Sequence, residues 1–485
     1  MKNLLAIDQG TTSSRAIIFS PEGDILAVRQ KELKLHYPQS GWVEQNPDDI
    51  LADTLWACEG VLGEVGDVAA IGITNQRETT IIWDRDSGKP VYNAIVWQDR
   101  RTADLCASLK AKGHEDMVSG KTGLLLDPYF SATKIAWILD NVDGARAKAK
   151  AGKLAFGTVD TFLLWHLTGG KVHATDATNA SRTMLYNIVE QRWDEELLRL
   201  FNIPQSILPE VKDNVADFGS AALAGRNVRI GGMAGDQQAA LIGQACFEHG
   251  MVKSTYGTGC FALMNIGGAF KRSQNRLLTT IGYRLDGKTT YAVEGSIFVA
   301  GAAIQWLRDG LGVFASAKES EALALSVPDN GGVYFVPAFT GLGAPYWRPE
   351  ARAIICGLGR ESTRAHITRA ALEAQGYQTL DLMDAMRRDS GREPEVIRAD
   401  GGLVANAFVC QFLADMLGKP VEVPKVAETT AWGAAVLAGV SAGVFNGLQD
   451  AGKRWKAARR YEPRMDVAKR EALYTGWKKA VGMLL

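Results

Sequence analysis

The amino-acid sequence predicts a protein of two domains built from strands and helices, and three observations carry that expectation. The chain has 485 residues, more than one hydrophobic core ordinarily organises. Short apolar runs of strand character alternate with helix-period segments along most of its length. A hairpin with a Gly-Thr turn opens each half, at residues 4–19 and again at 251–266. No long-range sequence repeat is visible, but the paired hairpins suggest a duplicated domain.

The opening hairpin comes first. Leu4, Leu5, Ala6 and Ile7 form one apolar strand; Ala16, Ile17, Ile18 and Phe19 form the next. The turn between them runs from Asp8 to Arg15, longer than a tight two-residue hairpin needs. Gly10 lets the backbone approach a ligand closely, so neighbouring N–H groups can make an anion-binding concavity. The hydroxyls of Thr11, Thr12 and Ser13 add donors and Arg15 adds charge. Asp8, at the strand end, suits Mg²⁺ held through its waters. The same residue types fill ordinary solvated turns, so this stretch alone leaves both readings open.

Whole-chain properties narrow the class. Lys plus Arg and Asp plus Glu number 54 each, which argues against a nucleic-acid or membrane-surface protein. Hydrophobic residues make up 46%, enough for large cores. No apolar run has the length of a membrane span; residues 431–445 come nearest, and they are short and rich in Gly and Ala. The N-terminus turns polar too early for a signal peptide. The six cysteines are scattered without a C-x-x-C and read as reduced cytosolic thiols, so the expected compartment is the cytoplasm. The six histidines show no zinc-ligand spacing, and no Walker A run is present.

Further along the first half, Asn46-Pro47-Asp48-Asp49 is a helix start: an N-cap, Pro in the first turn, then acids. Ile50, Leu51, Leu55, Cys58 and Leu62 continue it at helical spacing. A strand at 68–74 runs into Asn75-Gln76-Arg77-Glu78-Thr79, and a second hairpin is expected from 80–83 and 91–97. Arg77-Glu78 sets a donor fork beside an acceptor carboxylate, which suits a polyol whose hydroxyls both donate and accept; a surface ion pair at a strand end is the plainer reading. Tyr129-Phe130-Ser131 leads a helix, and residues 145–153 read as a solvated basic helix face. Residues 154–159 read as a strand, with Asp160 capping the helix that stops at Gly169. Gly235-Asp236-Gln237-Gln238 precedes an apolar helix, where Asp236 is a good N-cap, a role that does not exclude chemistry.

In the second half, Tyr256-Gly257-Thr258-Gly259 turns the second Gly-Thr hairpin. A strand at 290–295 precedes a helix through Gly301, Gln305 and Leu307. A long amphipathic helix falls within 361–389. A strand at 396–400, then Gly401-Gly402, then a helix through Asn406 and Phe412 makes a strand–Gly–helix arrangement able to face a nucleotide, though such turns are also common as plain connections. The chain ends in an amphipathic packing helix near 469–484.

Together these motifs resemble the FGGY carbohydrate kinase family over essentially the full length. YFSATKIAWILDN (129–141) and residues 353–373, with Gly357-Leu358, His366-Ile367 and Ala370 to Glu373, are similar to the family's signatures. The runs DQGTTSSR, ITNQRETT, AIVWQDRRTA, TNASRTML, AGDQQAA, TYGTGCF, FTGLGAPYW and DGGLVAN narrow the resemblance to members acting on glycerol. Related pentulose kinases carry a Gln-x-His element where this chain has Gln76-Arg77-Glu78.

The resemblance implies an α/β, two-domain actin-like ATPase (ribonuclease H-like) fold with the active site in the interdomain cleft, divided as 1–245 and 246–485. It implies ATP-dependent phosphorylation of glycerol to sn-glycerol 3-phosphate, with Asp236 as general base and Mg²⁺ organised by Asp8. Thr11, Thr12, Ser13 and Arg15 would contact phosphates, and Thr258, Gly301, Gln305, Gly402 and Asn406 would hold ATP or ADP. Arg77, Glu78, Trp97, Tyr129, Asp236, Gln237 and Phe261 would line the glycerol pocket. A homodimer or homotetramer is the expected assembly. Two other readings stay open: a kinase for a different polyol or ketose, and a nucleotide-gated binding protein without a small-molecule acceptor. Some relatives bind fructose 1,6-bisphosphate through a Gly-rich loop shortly before the catalytic Gly-Asp-Gln-Gln. Residues 217–235 here lack that loop, so no such inhibition is expected.

Overall fold

A computed structural model describes residues 2–348 and 350–485. Two twisted sheets repeat one plan. The first has six strands in the order Ser220–Leu223, Arg226–Gly235, Val68–Asn75, Asn3–Gln9, Ser13–Phe19 and Ile25–Glu32. The second has seven, in the order Leu278–Leu285, Lys288–Ile297, Cys260–Gly267, Val252–Tyr256, Ile397–Asp400, Val421–Pro424 and Ala457–Tyr461. In each, an antiparallel hairpin opens the unit and its first strand then pairs in parallel with a later one. The two Gly-Thr hairpins are those openings, which is the duplication the sequence suggested.

Leu4-Leu5-Ala6-Ile7 is continuously apolar because both faces of the first sheet are covered. Leu5 and Ile7 pack with Ile50, Val61 and Phe162 of the helices Pro47–Glu64 and Val159–Leu167. Leu4 and Ala6 face Ala239, Ile242, Ala431 and Ala435 of the helices Asp236–Gly243 and Thr429–Ser441. The second of these belongs to the later half of the sequence yet lies on the first sheet. It approaches backbone to backbone: a Cβ on Gly433 would sit 1.8 Å from the Ala239 carbonyl oxygen, a contact only glycine permits. On its other side the helix Asp236–Gly243 meets the second sheet, where Leu241 packs with Leu263 and Ala292. The far face of that sheet is closed by Arg364–Ser390 and Ala407–Leu417. A third core, including Ile95, Phe130, Ile135 and Leu185, gathers the segment between the strand Val68–Asn75 and the end of the first sheet.

Local expectations fare unevenly. Asn46 does cap the helix Pro47–Glu64, accepting from the Asp48 N–H at 3.1 Å. The hairpin expected over 80–97 is not a continuous ladder. It is present as separate bridges, Thr80 with Ile95 and Trp83 with Pro90, while the arms also pair with tertiary partners, Ile81–Asp84 with Leu154–Gly157 and Ala94–Ile95 with Glu44–Gln45. Asp160 is not an N-cap. Thr158 occupies that position, and Asp160 is a wholly buried acceptor for Thr175 Oγ1 at 2.7 Å. The helix placed within 361–389 runs Arg364–Ser390 and is buried around much of its circumference, Glu373 and Gln375 included. No helix among the described residues is long and apolar enough to cross a membrane, and all six cysteines are unpaired, five of them buried.

Candidate active site

Three parallel strands of the first sheet end together. Gln9 is level with Asn75, and Asn75 with Gly235. The residues at or just past these ends, Asp8, Arg77-Glu78 and Asp236, therefore converge on one edge, the carboxyl end of the strands, where open α/β sheets bind ligands.

Gly10, Thr11 and Thr12 connect the first two strands. Thr11 is held from two sides, its Oγ1 accepting from Trp97 Nε1 at 2.8 Å and its carbonyl from Gln45 at 2.5 Å. Thr12 is exposed and Ser13 half-buried. Arg15 pairs with Asp8, directly across the hairpin, and with Glu428 at 2.7 Å. Burial raises the Asp8 carboxyl above its ordinary range despite Arg15; Glu428 and Asp236 add to the rise. That excess of negative charge is a reason for a cation to bind here. Among the described residues no group of three or more His, Cys, Asp or Glu side chains could hold a metal by itself. The single carboxylate of Asp8 fits Mg²⁺, which keeps its waters and takes one or two carboxylates plus phosphate oxygens.

Arg77 and Glu78 sit in a buried ionic frame. The Arg77 guanidinium grips Glu294 with two bonds, at 2.6 and 2.9 Å, bonds Gln238 at 3.2 Å and lies 3.1 Å from Asp236 through Nε. Arg182 bonds Glu78 at 2.6 Å and Glu294 at 3.1 Å. Burial pushes the Glu294 carboxyl upward, yet Arg182 and Arg77 together hold it at about 2. For Glu78, burial wins over the same arginines and its carboxyl is raised. Glu78 has a φ of 63°, strained for a non-glycine residue and typical of over-determined functional positions. Arg77 is thus less a free donor fork than a fixed charge shared by Glu294, Asp236 and Gln238.

Asp236 is not the N-cap of its helix. Gly235 is, and Asp236 is the first helical residue, accepting from the Gln237 N–H at 2.7 Å. Its side chain stays 31% exposed while Arg77 beside it is nearly buried, so it is the most accessible member of the frame. Trp97 packs edge-on against Tyr129 at 5.5 Å and Phe261 at 6.4 Å, and these rings form an apolar wall. The turn carrying Tyr129 is pinned by Lys134, wholly buried, whose ammonium bonds the carbonyls of Pro128, Tyr129 and Phe130 at 2.7, 2.6 and 3.0 Å. Burial brings that ammonium down to about 8. The Gln237 side chain accepts from Lys253.

The remaining predicted residues cluster on the second sheet. The Thr258 carbonyl accepts from the Ala300 N–H at 2.8 Å, and the Gly301 N–H donates to Gly257 at 2.9 Å. Gly401, with a φ of 93°, lies so close that a Cβ would meet the Tyr256 carbonyl oxygen at 2.5 Å. Thr258, Gly301 and Gly402 therefore lie close together at one edge of the second sheet. Gln305 is exposed one turn further along its helix. Asn406 is occupied structurally: it caps the helix Ala407–Leu417 through the Val409 N–H at 3.1 Å and bonds Ser320 at 3.3 Å.

Arg182, Glu294, Lys253 and Lys134 belong to the site and were not singled out from the sequence. Glu294 follows the apolar run Tyr291-Ala292-Val293 and Lys253 follows Met251-Val252, a charge set beside buried apolar residues that marks a paired or functional group.

Two family models match the chain: the N-terminal domain of the FGGY family of carbohydrate kinases over residues 3–243, and its C-terminal domain over residues 252–442. The chain is 68% identical to a glycerol kinase of Nitrosomonas eutropha, covering 99% of this chain and 98% of that one. It is 60% identical to a glycerol kinase of Ectopseudomonas mendocina with the same coverage. The crystal structure of Plasmodium falciparum glycerol kinase with ADP superposes with a TM-score of 0.95 at 37% identity, covering 100% of this chain and 98% of that one. A ligand-bound xylulose kinase from Lactobacillus acidophilus shares the fold, with a TM-score of 0.87 at 22% identity, covering 98% of this chain and 96% of that one.

Proposed function

The chain belongs to the FGGY family of carbohydrate kinases, and from that membership we propose that it transfers the γ-phosphoryl group of ATP to a terminal hydroxyl of glycerol, forming sn-glycerol 3-phosphate. The observation that carries the reading is the meeting of Arg77, Glu78 and the half-exposed Asp236 at three adjacent strand ends, beside a wall of Trp97, Tyr129 and Phe261. Names of relatives at 60–68% identity and an ADP-bound neighbour support it.

Phosphoryl transfer is catalysed mainly by positioning and by stabilising charge on the transferring group. Asp236 accepts the proton of the attacking glycerol hydroxyl. Arg77 and Glu78 orient the other hydroxyls, and the aromatic wall covers the carbon chain. Thr11, Thr12, Ser13 and Arg15 offer donors to the phosphates, while Thr258, Gly301, Gln305, Gly402 and Asn406 lie on the nucleotide side. Mg²⁺, held by Asp8, would neutralise phosphate charge as it develops. Water is the competing acceptor, and approach of the two halves over the pocket excludes it. The division at 245/246, a cytoplasmic location and a homodimeric or homotetrameric assembly are part of the same reading.

A coupled ADP-release assay across a panel of acceptors tests it. Turnover should depend on glycerol and fall sharply with ketoses such as xylulose. Equal rates with xylulose, or ADP release indifferent to any acceptor, would overturn the assignment.

A further inference from the structure

Lys253 has no part in the chemistry described above, yet its surroundings single it out. It is wholly buried on the strand Val252–Tyr256 of the second sheet. A buried ammonium is costly unless its surroundings compensate. Here the three bonds of its Nζ go to neutral acceptors: Gln237 Oε1, Thr255 Oγ1 at 3.1 Å and the Phe261 carbonyl at 3.3 Å. Carboxylates act on it from a greater distance, Asp400 and Asp236 foremost, then Glu294, with Arg77 opposing.

Two of its acceptors come from different halves of the chain. Gln237 lies on the helix that leaves the first sheet, and Phe261 on the second strand of the second sheet. Of the seven residues proposed to line the glycerol pocket, Phe261 alone lies past residue 245. The ammonium is therefore a polar link between Gln237, from one half, and the single part of the wall that the other half supplies. A neutral side chain of similar length cannot donate to three acceptors at once.

We propose that Lys253 is a positioning residue for glycerol phosphorylation: it ties Gln237 to the Phe261 strand, so that the glycerol pocket is complete only when the two halves are clasped through its ammonium. The inference rests on the glycerol pocket described above. Losing the link frees the Gln237 amide from the Phe261 strand, whose own ladders with Thr255 and Ser296 persist, while the phosphate loop at Thr11–Ser13 and the turn at Thr258, Gly301 and Gly402 keep their own contacts. Glycerol binding should weaken selectively.

The test is steady-state kinetics of the full chain, varying glycerol and ATP separately, for Lys253→Met, Lys253→Arg and Thr255→Val. Lys253→Met should raise the glycerol KM by about tenfold or more, the scale of a buried bonded group left unpaired, with the ATP KM moved less than about twofold. Lys253→Arg, which keeps the charge, should recover most of the loss. Thr255→Val, which strips one acceptor from the ammonium, should raise the glycerol KM about two- to fivefold. A role in the fold alone lowers the thermal midpoint without separating the two KM values. The proposal is overturned if folded Lys253→Met keeps the parent glycerol KM, or if the ATP KM rises in parallel. If that variant does not fold, Thr255→Val decides, and an unmoved glycerol KM overturns it. A parent enzyme whose ADP release ignores glycerol removes the pocket itself, an outcome separate from the variant results.

Discussion

Replacing Glu294 with Gln should cost this protein about 3 kcal/mol, with a pH signature that identifies the cause. Glu294 is wholly buried and receives two bonds from Arg77 and one from Arg182. Gln keeps the shape but turns an amide NH₂ toward arginine donors and removes the carboxylate that Arg77 and Arg182 share. Burial opposes ionisation of Glu294, yet Arg182 and Arg77 lower its carboxyl from 4.5 to about 2. At 1.36 kcal/mol per pH unit the depression corresponds to about 3 kcal/mol, the same order as the 3–5 kcal/mol lost when one partner of a buried pair is removed. Because the folded value lies below the unfolded one, this stability is fully present above pH about 4.5 and is lost as the pH falls toward about 2. Unfolding free energies of parent and Glu294→Gln from chemical denaturation should therefore differ by about 3 kcal/mol at pH 7, and the gap should begin to narrow below pH about 4.5. The glycerol KM should rise as well, since Arg77 loses the group that fixes its orientation. A gap under about 1 kcal/mol at pH 7, or one that stays constant down to pH about 3.5, refutes the reasoning.

Asp236→Asn removes the proton acceptor while preserving shape, so kcat should fall by about two to four decades with glycerol binding retained by calorimetry; near-parental turnover contradicts the base assignment. Gly433→Ala drives a Cβ to 1.8 Å from the Ala239 carbonyl oxygen, so the two helices must part and stability should drop by about 1–3 kcal/mol; a parental denaturation midpoint would show that the packing is softer than argued. Fructose 1,6-bisphosphate should not inhibit. The turn before the strand Arg226–Gly235 is only Ala224-Gly225, with φ values of 48° and 71°, and Arg226 is spent on the Gly66 and Leu62 carbonyls. Saturable inhibition in a millimolar titration would reveal an anion site built elsewhere.

Local chemistry was readable where it depends on neighbours in sequence. The hairpin at residues 4–19, the Asn46 cap and the strand–turn boundaries at Arg77-Glu78 and Asp236 all follow from apolar runs meeting polar residues. Errors arose where a distant partner decided the outcome. Asp160 looks like a cap because Asp before an apolar helix usually is one, but Thr158 takes the cap and Asp160 turns inward to Thr175. Residues 80–83 do meet 90–95 as a hairpin, but only through separate bridges, and Leu154–Gly157 supplies the continuous ladder.

By itself the sequence determined the repeated hairpins, the two-part α/β plan, the family and the residues at the strand ends, because each is written in local pattern and motif. Only the tertiary structure decided what stands behind those residues. Glu294 reaches Arg77 across 217 positions of chain, and Arg182 reaches Glu78 across 104. Lys253 spans the two halves, and the helix Thr429–Ser441 returns to the first sheet through a glycine contact. A buried charge is stable only beside its counter-charge or its hydrogen-bond acceptors, and which residues those are depends on how the sheets pack together, not on spacing along the chain.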